Sequence, residues 1–215
     1  FCFFGGTFDE ILIGSNGVVT FDLVNNIPGG GCAWQFDESI PNPNLFRNTI
    51  FGPYMDIDPS VSPPTSTINF QVLGNAPCRT MVISMPNISY YSCNELRMTS
   101  QVVIYETTNV VEVYVLDRPS GCNWNSGNAV IGIQNQAGNL GYTPPGRNTG
   151  DWDANQEAWR FTPNGPSNVT FDWLNSAGEI IGNTPDITVC PSGDETYTAR
   201  AAYLNCDGAI TVVED

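Results

Sequence analysis

Residues 11–21 read ILIGSNGVVTF, which places two β-rich runs on either side of a Gly-Ser-Asn-Gly segment. Branched and aromatic residues favour strands, and an Asn-Gly pair between two such runs is a strong local signal for a β-hairpin. The segment therefore predicts a hairpin whose turn contains Asn16 and Gly17.

The same pattern continues along the rest of the chain. Short β-rich runs are separated by Gly, Pro and Asn, and no segment keeps a helical stripe of apolar residues through three turns. Many short strands with frequent turns predict an all-β protein built from sandwiches. The further predicted strands are 68–73, 80–84, 101–106, 110–116, 129–134, 158–161, 169–174, 179–181, 187–190, 196–204 and 209–213.

The pattern changes near residues 163–166, which read PNGP. We expect a boundary at this point, since such turn-rich segments commonly separate domains. The strand pattern of residues 1–165 predicts a large β-sandwich domain. Residues 166–215 carry several short strands, an early Trp and two later Cys, which predicts a small immunoglobulin-like β-sandwich domain.

The charge of the chain is strongly acidic, with 22 Asp and Glu, seven Arg, no Lys and no His, for a net charge of -15. Such a surface repels phosphate groups, so no nucleic acid is expected as a partner. No apolar run reaches about 18 residues, so no membrane insertion is expected. The lack of His excludes Ser-His-Asp and Cys-His nucleophilic sites and His-ligated zinc.

The seven Cys contain no Cys-x-x-Cys pair, which favours a disulfide-containing protein from an oxidising compartment. We therefore expect a secreted, extracellular protein. Cys190 and Cys206 both lie in the predicted small domain, where closing a loop of about 15 residues adds roughly 3 kcal/mol, and we predict that they pair. The other pairings stay open: one bridge is expected among Cys78, Cys93 and Cys122, with Cys2 or Cys32 free or paired outside the sequence.

Eight blocks follow one another along residues 1–165: FGGTFD (4–9), IGSNGVVTF (13–21), FGPYMDIDPS (51–60), APCR (76–79), VIYETTN (103–109), GIQN (132–135), PPGRNTG (144–150) and EAWRF (157–161). In this order they resemble a domain of very large secreted adhesin-like surface proteins of gliding Bacteroidota, which the type IX secretion system exports. The opening hairpin and the later Asp-Ile-Asp are also similar to nidogen-type extracellular domains. The resemblance implies attachment to surfaces, glycans or other cells.

The Asp-Ile-Asp segment is the candidate metal site. On an extended chain, alternate side chains share a face, so Asp56 and Asp58 are expected to point the same way. Two carboxylates on one face, together with backbone carbonyls, predict a calcium site. The alternative is that the two side chains cap turns or bind Arg147 or Arg160.

Aromatic residues in or beside loops are the candidate ligand-binding residues. Rings stack on sugar faces, while neighbouring Asn and Asp bind hydroxyl groups, so this composition suits carbohydrate. The alternative is that the rings cover the ends of the core. For Trp159, Trp173 and Arg160 we expect structural roles. The candidate ligand-binding residues are Trp34, Tyr54, Trp124, Tyr142, Arg147 and Trp152.

These patterns predict a binding protein rather than an enzyme. The leading hypothesis is an adhesin segment that binds carbohydrate, or a cell or abiotic surface, through loops at one end of the sandwich. Its other partners would be neighbouring domains of the same long chain. The second hypothesis is a structural spacer or cap in a filamentous surface protein, and the third, ranked last, is a carboxylate-dependent hydrolase.

Overall fold

A computed structural model describes residues 1–28 and 39–215. Among these residues, none forms a helix of the length and apolarity needed to cross a bilayer. The protein is all-β, as predicted, with antiparallel sheets in sandwich-like domains. The strands are β1 (Cys2–Phe3), β2 (Gly6–Thr7), β3 (Leu12–Gly14), β4 (Val18–Thr20), β5 (Thr49–Tyr54), β6 (Asn69–Leu73), β7 (Thr80–Tyr90), β8 (Cys93–Tyr105), β9 (Val111–Arg118), β10 (Val130–Gln134), β11 (Gly141–Tyr142), β12 (Ala154–Phe161), β13 (Val169–Leu174), β14 (Ile180–Gly182), β15 (Thr198–Leu204) and β16 (Ile210–Glu214), and short 3-10 helices span Pro59–Val61 and Trp124–Gly127.

Two five-stranded sheets form the large sandwich. One has the strand order β11-β10-β5-β4-β3 and the other has the order β12-β9-β8-β7-β6. The two sheets meet where β5 packs on β8 and β9. Gly52 lies at this crossing, and a Cβ placed on it would stand 2.3 Å from a methyl carbon of Val102. The absence of a side chain therefore lets the sheets approach closely.

The main core lies between these two sheets, and a smaller core covers the outer face of the first sheet. Val19 and Ile50 point into the main core, while their neighbours Val18 and Phe51 belong to the smaller cluster. This alternation follows the two-residue period of a strand. Because both faces of β4 and β5 are covered, every residue of these two strands is buried.

Most of the predicted strands are confirmed, and the differences concern length and irregular segments. The opening hairpin forms as expected, with residues 15–17 joining β3 to β4. Strands β7 and β8 are longer than predicted and form one long hairpin. Strand β5 is not among the predicted strands. The predicted strand at 187–190 is wrong, because those residues have no regular structure.

The C-terminal strands form a separate four-stranded sheet with the order β14-β13-β15-β16. No side chain of residues 169–214 is fully buried, so this sheet has little core of its own. The turn at residues 107–109 joins it to the sandwich, since the Asn168 side chain donates to the Thr107 carbonyl. The division into domains 1–165 and 166–215 stays a prediction.

The disulfides differ from the sequence prediction in the tail. Cys93 pairs with Cys122, which confirms the bridge expected among three central Cys. Cys206 pairs with Cys2, so the predicted Cys190–Cys206 bridge is wrong. The reason is tertiary: the Asn109 side chain accepts a 2.7 Å hydrogen bond from the Cys2 backbone, at the same turn that the tail sheet contacts. Cys78 and Cys190 are free and exposed, and Cys32 lies outside the described residues.

A buried guanidinium ties together one end of the sandwich. Arg118, the last residue of β9, is fully buried and donates to the carbonyl oxygens of Gly127, at 2.7 Å, and Trp152. Its guanidinium carbon lies 4.2 Å from the Trp152 ring centre and 6.0 Å from that of Tyr90. Its Nη1 atom lies 3.6 Å from the Asp151 carboxylate. One side chain therefore holds three segments in register.

Replacing Arg118 with Met is expected to lower the free energy of unfolding by about 3 kcal/mol, because it leaves buried carbonyls without donors. Urea unfolding would measure this change. Arg79→Met is the matched control: its ion pair with Glu106 is half exposed, so its loss should cost less than about 1 kcal/mol. Equal losses for the two variants would contradict the role given to Arg118.

Candidate functional site

A cavity of 490 Å³ opens where four segments of the sandwich meet. We call it the end cavity. It brings together the candidate metal residues Asp56 and Asp58 and the candidate ligand-binding residue Trp124, which are far apart in the sequence. Its other polar and aromatic lining residues are Ser15, Asn16 and Tyr91.

The opening hairpin forms one wall of the end cavity. The buried Asn16 side chain accepts a 3.1 Å hydrogen bond from the Ile57 backbone, and its carbonyl accepts one of 3.2 Å from Met55. Gly17 has a φ of +83°, and a Cβ there would lie 1.9 Å from the Pro53 carbonyl oxygen. Only glycine fits this position, so the Asn-Gly pair seats the turn on the segment that follows β5.

The two aspartates have different hydrogen-bond partners. The Asp58 side chain caps the 3-10 helix that follows it, accepting 2.9 and 2.5 Å hydrogen bonds from the backbone and hydroxyl of Ser60. The Asp56 side chain accepts a 2.6 Å hydrogen bond from the Trp124 indole. Turn capping, the alternative to metal binding, therefore applies to Asp58. Asp56, the other candidate metal ligand, is hydrogen-bonded to the candidate ligand-binding residue Trp124.

Two aromatic rings, which we call the aromatic wall, also line the cavity. The ring centres of Tyr91 and Trp124 lie 5.0 Å apart, and their planes are tilted by 56°. Tyr91 sits at the tip of the β7–β8 hairpin and is 44% exposed. The Cys93–Cys122 disulfide links the two segments, because each ring lies two residues from one of these Cys. The covalent bridge thus holds the rings together.

The loop that carries Trp124 is fixed along its length. The backbone of Ser120 donates a 2.7 Å hydrogen bond to Asp153, and that of Gly121 donates one of 2.7 Å to Asp151. The Arg118 guanidinium holds the far end of the loop through the Gly127 carbonyl. The aromatic wall is therefore preformed rather than assembled on binding.

The end cavity carries negative charge without a matching cation. Burial raises the pKa of Asp56, hydrogen bonds from Trp124 and Asn16 oppose this rise, and the neighbouring Asp58 adds to it. All seven Arg lie in the described ranges, and none of them is within ion-pair distance of either aspartate. Among the described residues, the ion pairs are Arg79–Glu106, Arg118–Asp151, Arg147–Glu157, Arg160–Glu112, and Arg200 with Asp172 and Glu214.

Arg147 and Trp152 form a separate, structural cluster. Arg147 makes a 2.5 Å ion pair with Glu157 and lies 4.6 Å from the Trp152 ring centre. Trp152 is only 8% exposed, and its indole donates to the Ala129 carbonyl at 3.1 Å. The core-packing alternative describes this Trp. The expected structural pairing of Arg160 is confirmed by its 2.5 Å contact with Glu112.

The remaining ligand candidates lie away from the end cavity. The expected loop position of Tyr54 is wrong: it ends β5 and is fully buried beside Phe46 and Phe51, because the outer face of that sheet is covered. Tyr142 is exposed on the edge strand β11, where it stacks on Phe4 at 6.2 Å. Trp34 falls outside the described residues.

Sequence reasoning missed three polar and aromatic contributors to the cavity, Ser15, Asn16 and Tyr91. The Asn-Gly pair was interpreted only as a turn signal, although an Asn in a tight turn can also bind a neighbouring segment. Tyr91 belongs to a Tyr-Tyr-Ser-Cys segment that follows a β-rich run. A hairpin tip beside a Cys was the available signal for an exposed ring held in place.

The calcium hypothesis has limited support from the geometry. Calcium takes about six to eight oxygen ligands. Within residues 1–28 and 39–215, no three His, Cys, Asp or Glu side chains converge as a metal-binding group. Asp56 and Asp58 would need carbonyl oxygens and water to complete a calcium shell, and the calcium site stays a prediction.

Comparison with known families shows the family to which the chain belongs. A family model described as NIDO related matches residues 1–172, which include the whole end cavity. The chain belongs to the NIDO-related family. For this NIDO-related chain, the match supports the nidogen-type resemblance, and an extracellular-type domain with two disulfides is consistent with a secreted protein. No curated protein and no solved structure matches the chain.

Asp56→Asn keeps an oxygen for the Trp124 indole and removes the charge. Because the folded-state pKa of Asp56 is raised above 3.8, its ionised form lowers stability, and this penalty is lost as the pH falls through the raised pKa. The variant should therefore be more stable than the unmodified chain at neutral pH and equally stable near pH 3, as measured by urea unfolding. Glu95→Gln, at an exposed position, should show no such difference. A less stable Asp56→Asn at neutral pH would contradict the assignment.

Proposed function

We propose that this NIDO-related chain is an attachment domain of a secreted surface protein and that it binds glycans through the end cavity without turnover. The observation that carries the proposal is the convergence of two tilted rings and two carboxylates in one cavity of 490 Å³. Rings of this kind stack on the apolar face of a sugar, and carboxylate and amide oxygens accept its hydroxyl hydrogens. An extracellular domain with such a cavity is suited to adhesion.

The rigidity of the cavity supports binding. The Cys93–Cys122 bridge and the hydrogen bonds of residues 120 and 121 fix the aromatic wall before a ligand arrives. Binding to a preformed wall avoids most of the conformational entropy that ordering a loop would cost. Repeated weak contacts along a large surface protein would then add up to firm attachment.

The wider setting of the proposal rests on the eight sequence blocks. Their resemblance to adhesin-like proteins of gliding Bacteroidota supports export by the type IX secretion system and a position at the cell surface. Neighbouring domains of the same long chain would then present this domain to a glycan or an abiotic surface.

A second candidate function is that of a structural spacer or cap. The Cys2–Cys206 bridge favours it, because this bond joins residues 204 positions apart and closes almost the whole chain into one loop. A spacer needs such closure but needs no aromatic cavity. Glycan binding that depends on the cavity therefore separates the two functions.

Trp124→Ala and Tyr91→Ala are expected to weaken glycan binding by roughly tenfold or more, since each removes one stacking ring. Glycan arrays followed by calorimetry on the best ligand would measure this. Tyr142→Ala is the matched control, because Tyr142 is exposed but lies outside the cavity. Unchanged binding in the two cavity variants, with thermal unfolding unaltered, would favour the spacer function.

Calcium is proposed as an auxiliary occupant of the Asp56 and Asp58 carboxylates. Only two carboxylates contribute, so a dissociation constant of about 1 mM is expected, as in extracellular calcium modules. Calorimetric titration should give this value for the unmodified chain and no heat for Asp56→Asn/Asp58→Asn. No heat and no thermal shift in either protein would end the calcium hypothesis.

A further inference from the structure

We infer that the end cavity recognises a sugar that carries an ammonium group, such as a 2-amino-2-deoxy sugar, in preference to neutral or acidic sugars. This inference rests on the proposed glycan-binding function and names its ligand class. It comes from three properties of the cavity: its charge, the partners of its carboxylates and the chemistry of its aromatic wall.

The negative charge of the cavity favours a positively charged ligand. Asp56 and Asp58 both line it, whereas no Arg does, and the chain contains no Lys or His. With a net charge of -15 on the whole chain, the surrounding field also attracts cations. A uronic acid or a sulfated sugar would be repelled from this cavity.

The partners of Asp56 show what a ligand could supply. This carboxylate is partly buried, and its hydrogen-bond donors, the Trp124 indole and the Asn16 side chain, are both neutral. Partial burial of a charge is unfavourable unless a cation or strong donors offset it. An ammonium group beside Asp56 would provide both a positive charge and N–H donors.

The aromatic wall distinguishes an organic cation from a metal ion. Tyr91 and Trp124 contribute two ring faces and only one oxygen, the Tyr91 hydroxyl, whereas a calcium shell needs about six to eight oxygens. Ring faces do attract ammonium groups through cation–π interactions, and they stack on the carbohydrate that carries the ammonium. Rings and carboxylates that line one cavity therefore fit one ligand that is both a sugar and a cation.

The test compares three probes of similar length by calorimetry with the unmodified protein. The probes are a tetrasaccharide of β-1,4-linked glucosamine, the same tetrasaccharide fully N-acetylated, and tetralysine. The titrations are done at about pH 6, in low salt and with a calcium chelator, so that the amino sugar carries its ammonium charge and calcium does not compete. We expect the amino tetrasaccharide to bind at least roughly tenfold more tightly than the other two.

Matched variants locate the interaction. Asp58→Asn and Trp124→Phe should each reduce the preference for the amino form, the first by removing charge and the second by weakening the ring face. Glu95→Gln removes an exposed charge elsewhere and should leave the preference unchanged. The affinity for the amino form should also fall as salt is added, because salt screens charge pairs.

The outcomes separate this inference from the function on which it rests. Equal or tighter Trp124-dependent binding of the N-acetylated form would overturn the ammonium inference and keep glycan binding. Equal binding of tetralysine would show that charge alone is recognised and would overturn the sugar part. Absence of binding to either tetrasaccharide overturns the inference, and absence of cavity-dependent binding across the whole glycan array overturns the proposed function as well.

Discussion

The buried guanidinium of Arg118 is the interaction on which one end of the sandwich depends. A buried charge is favourable only beside acceptors, and here two carbonyl oxygens accept from the terminal nitrogens, while two rings and a carboxylate lie close by and the Nε–H has no partner among the described residues. These partners lie on three segments, represented by Tyr90, Gly127 and residues 151–152, so binding one cation fixes the relative positions of the three. This cluster fixes the position of the loop that carries Trp124. Because Trp124 lines the end cavity, the shape of the cavity depends on this loop.

A covalent constraint and a charge imbalance build on that arrangement. The Cys93–Cys122 bridge brings the Tyr91 hairpin to the Trp124 loop, so the aromatic wall depends on oxidation as well as on packing. The cavity also concentrates two carboxylates in a chain whose few cations are mostly committed elsewhere. In an acidic protein with only seven Arg, the distribution of ion pairs decides which carboxylates stay available to an outside cation.

The fold class and most of the strands could be predicted because they depend on local patterns. Strand runs and turn residues are properties of neighbouring positions, and they predict residues 11–21 and most of the strands correctly. Other features depend on contacts distant in sequence. Tyr54 is buried because other residues cover the outer face of β5, and Cys206 pairs with Cys2 because both lie near the turn at Asn109. Tyr91 lies in the cavity because the neighbouring Cys93 is bridged to Cys122. Tyr54 and Cys206 carry no local signal of these contacts, and the only local signal at Tyr91 is the neighbouring Cys93.

The bond between Cys2 and Cys206 also determines how the chain carries mechanical load. The Cα atoms of the two residues lie 5.6 Å apart, so tension applied at Phe1 and Asp215 passes directly across the sulfur bridge. Strands β2 to β15 lie between the two Cys, so they are bypassed and stay folded under forces that would unzip an unbridged sandwich, whereas β16 lies beyond Cys206 and carries the load. Under shear, such a domain would behave as a short inextensible link that keeps its cavity intact, and reduction would convert it into an extensible one.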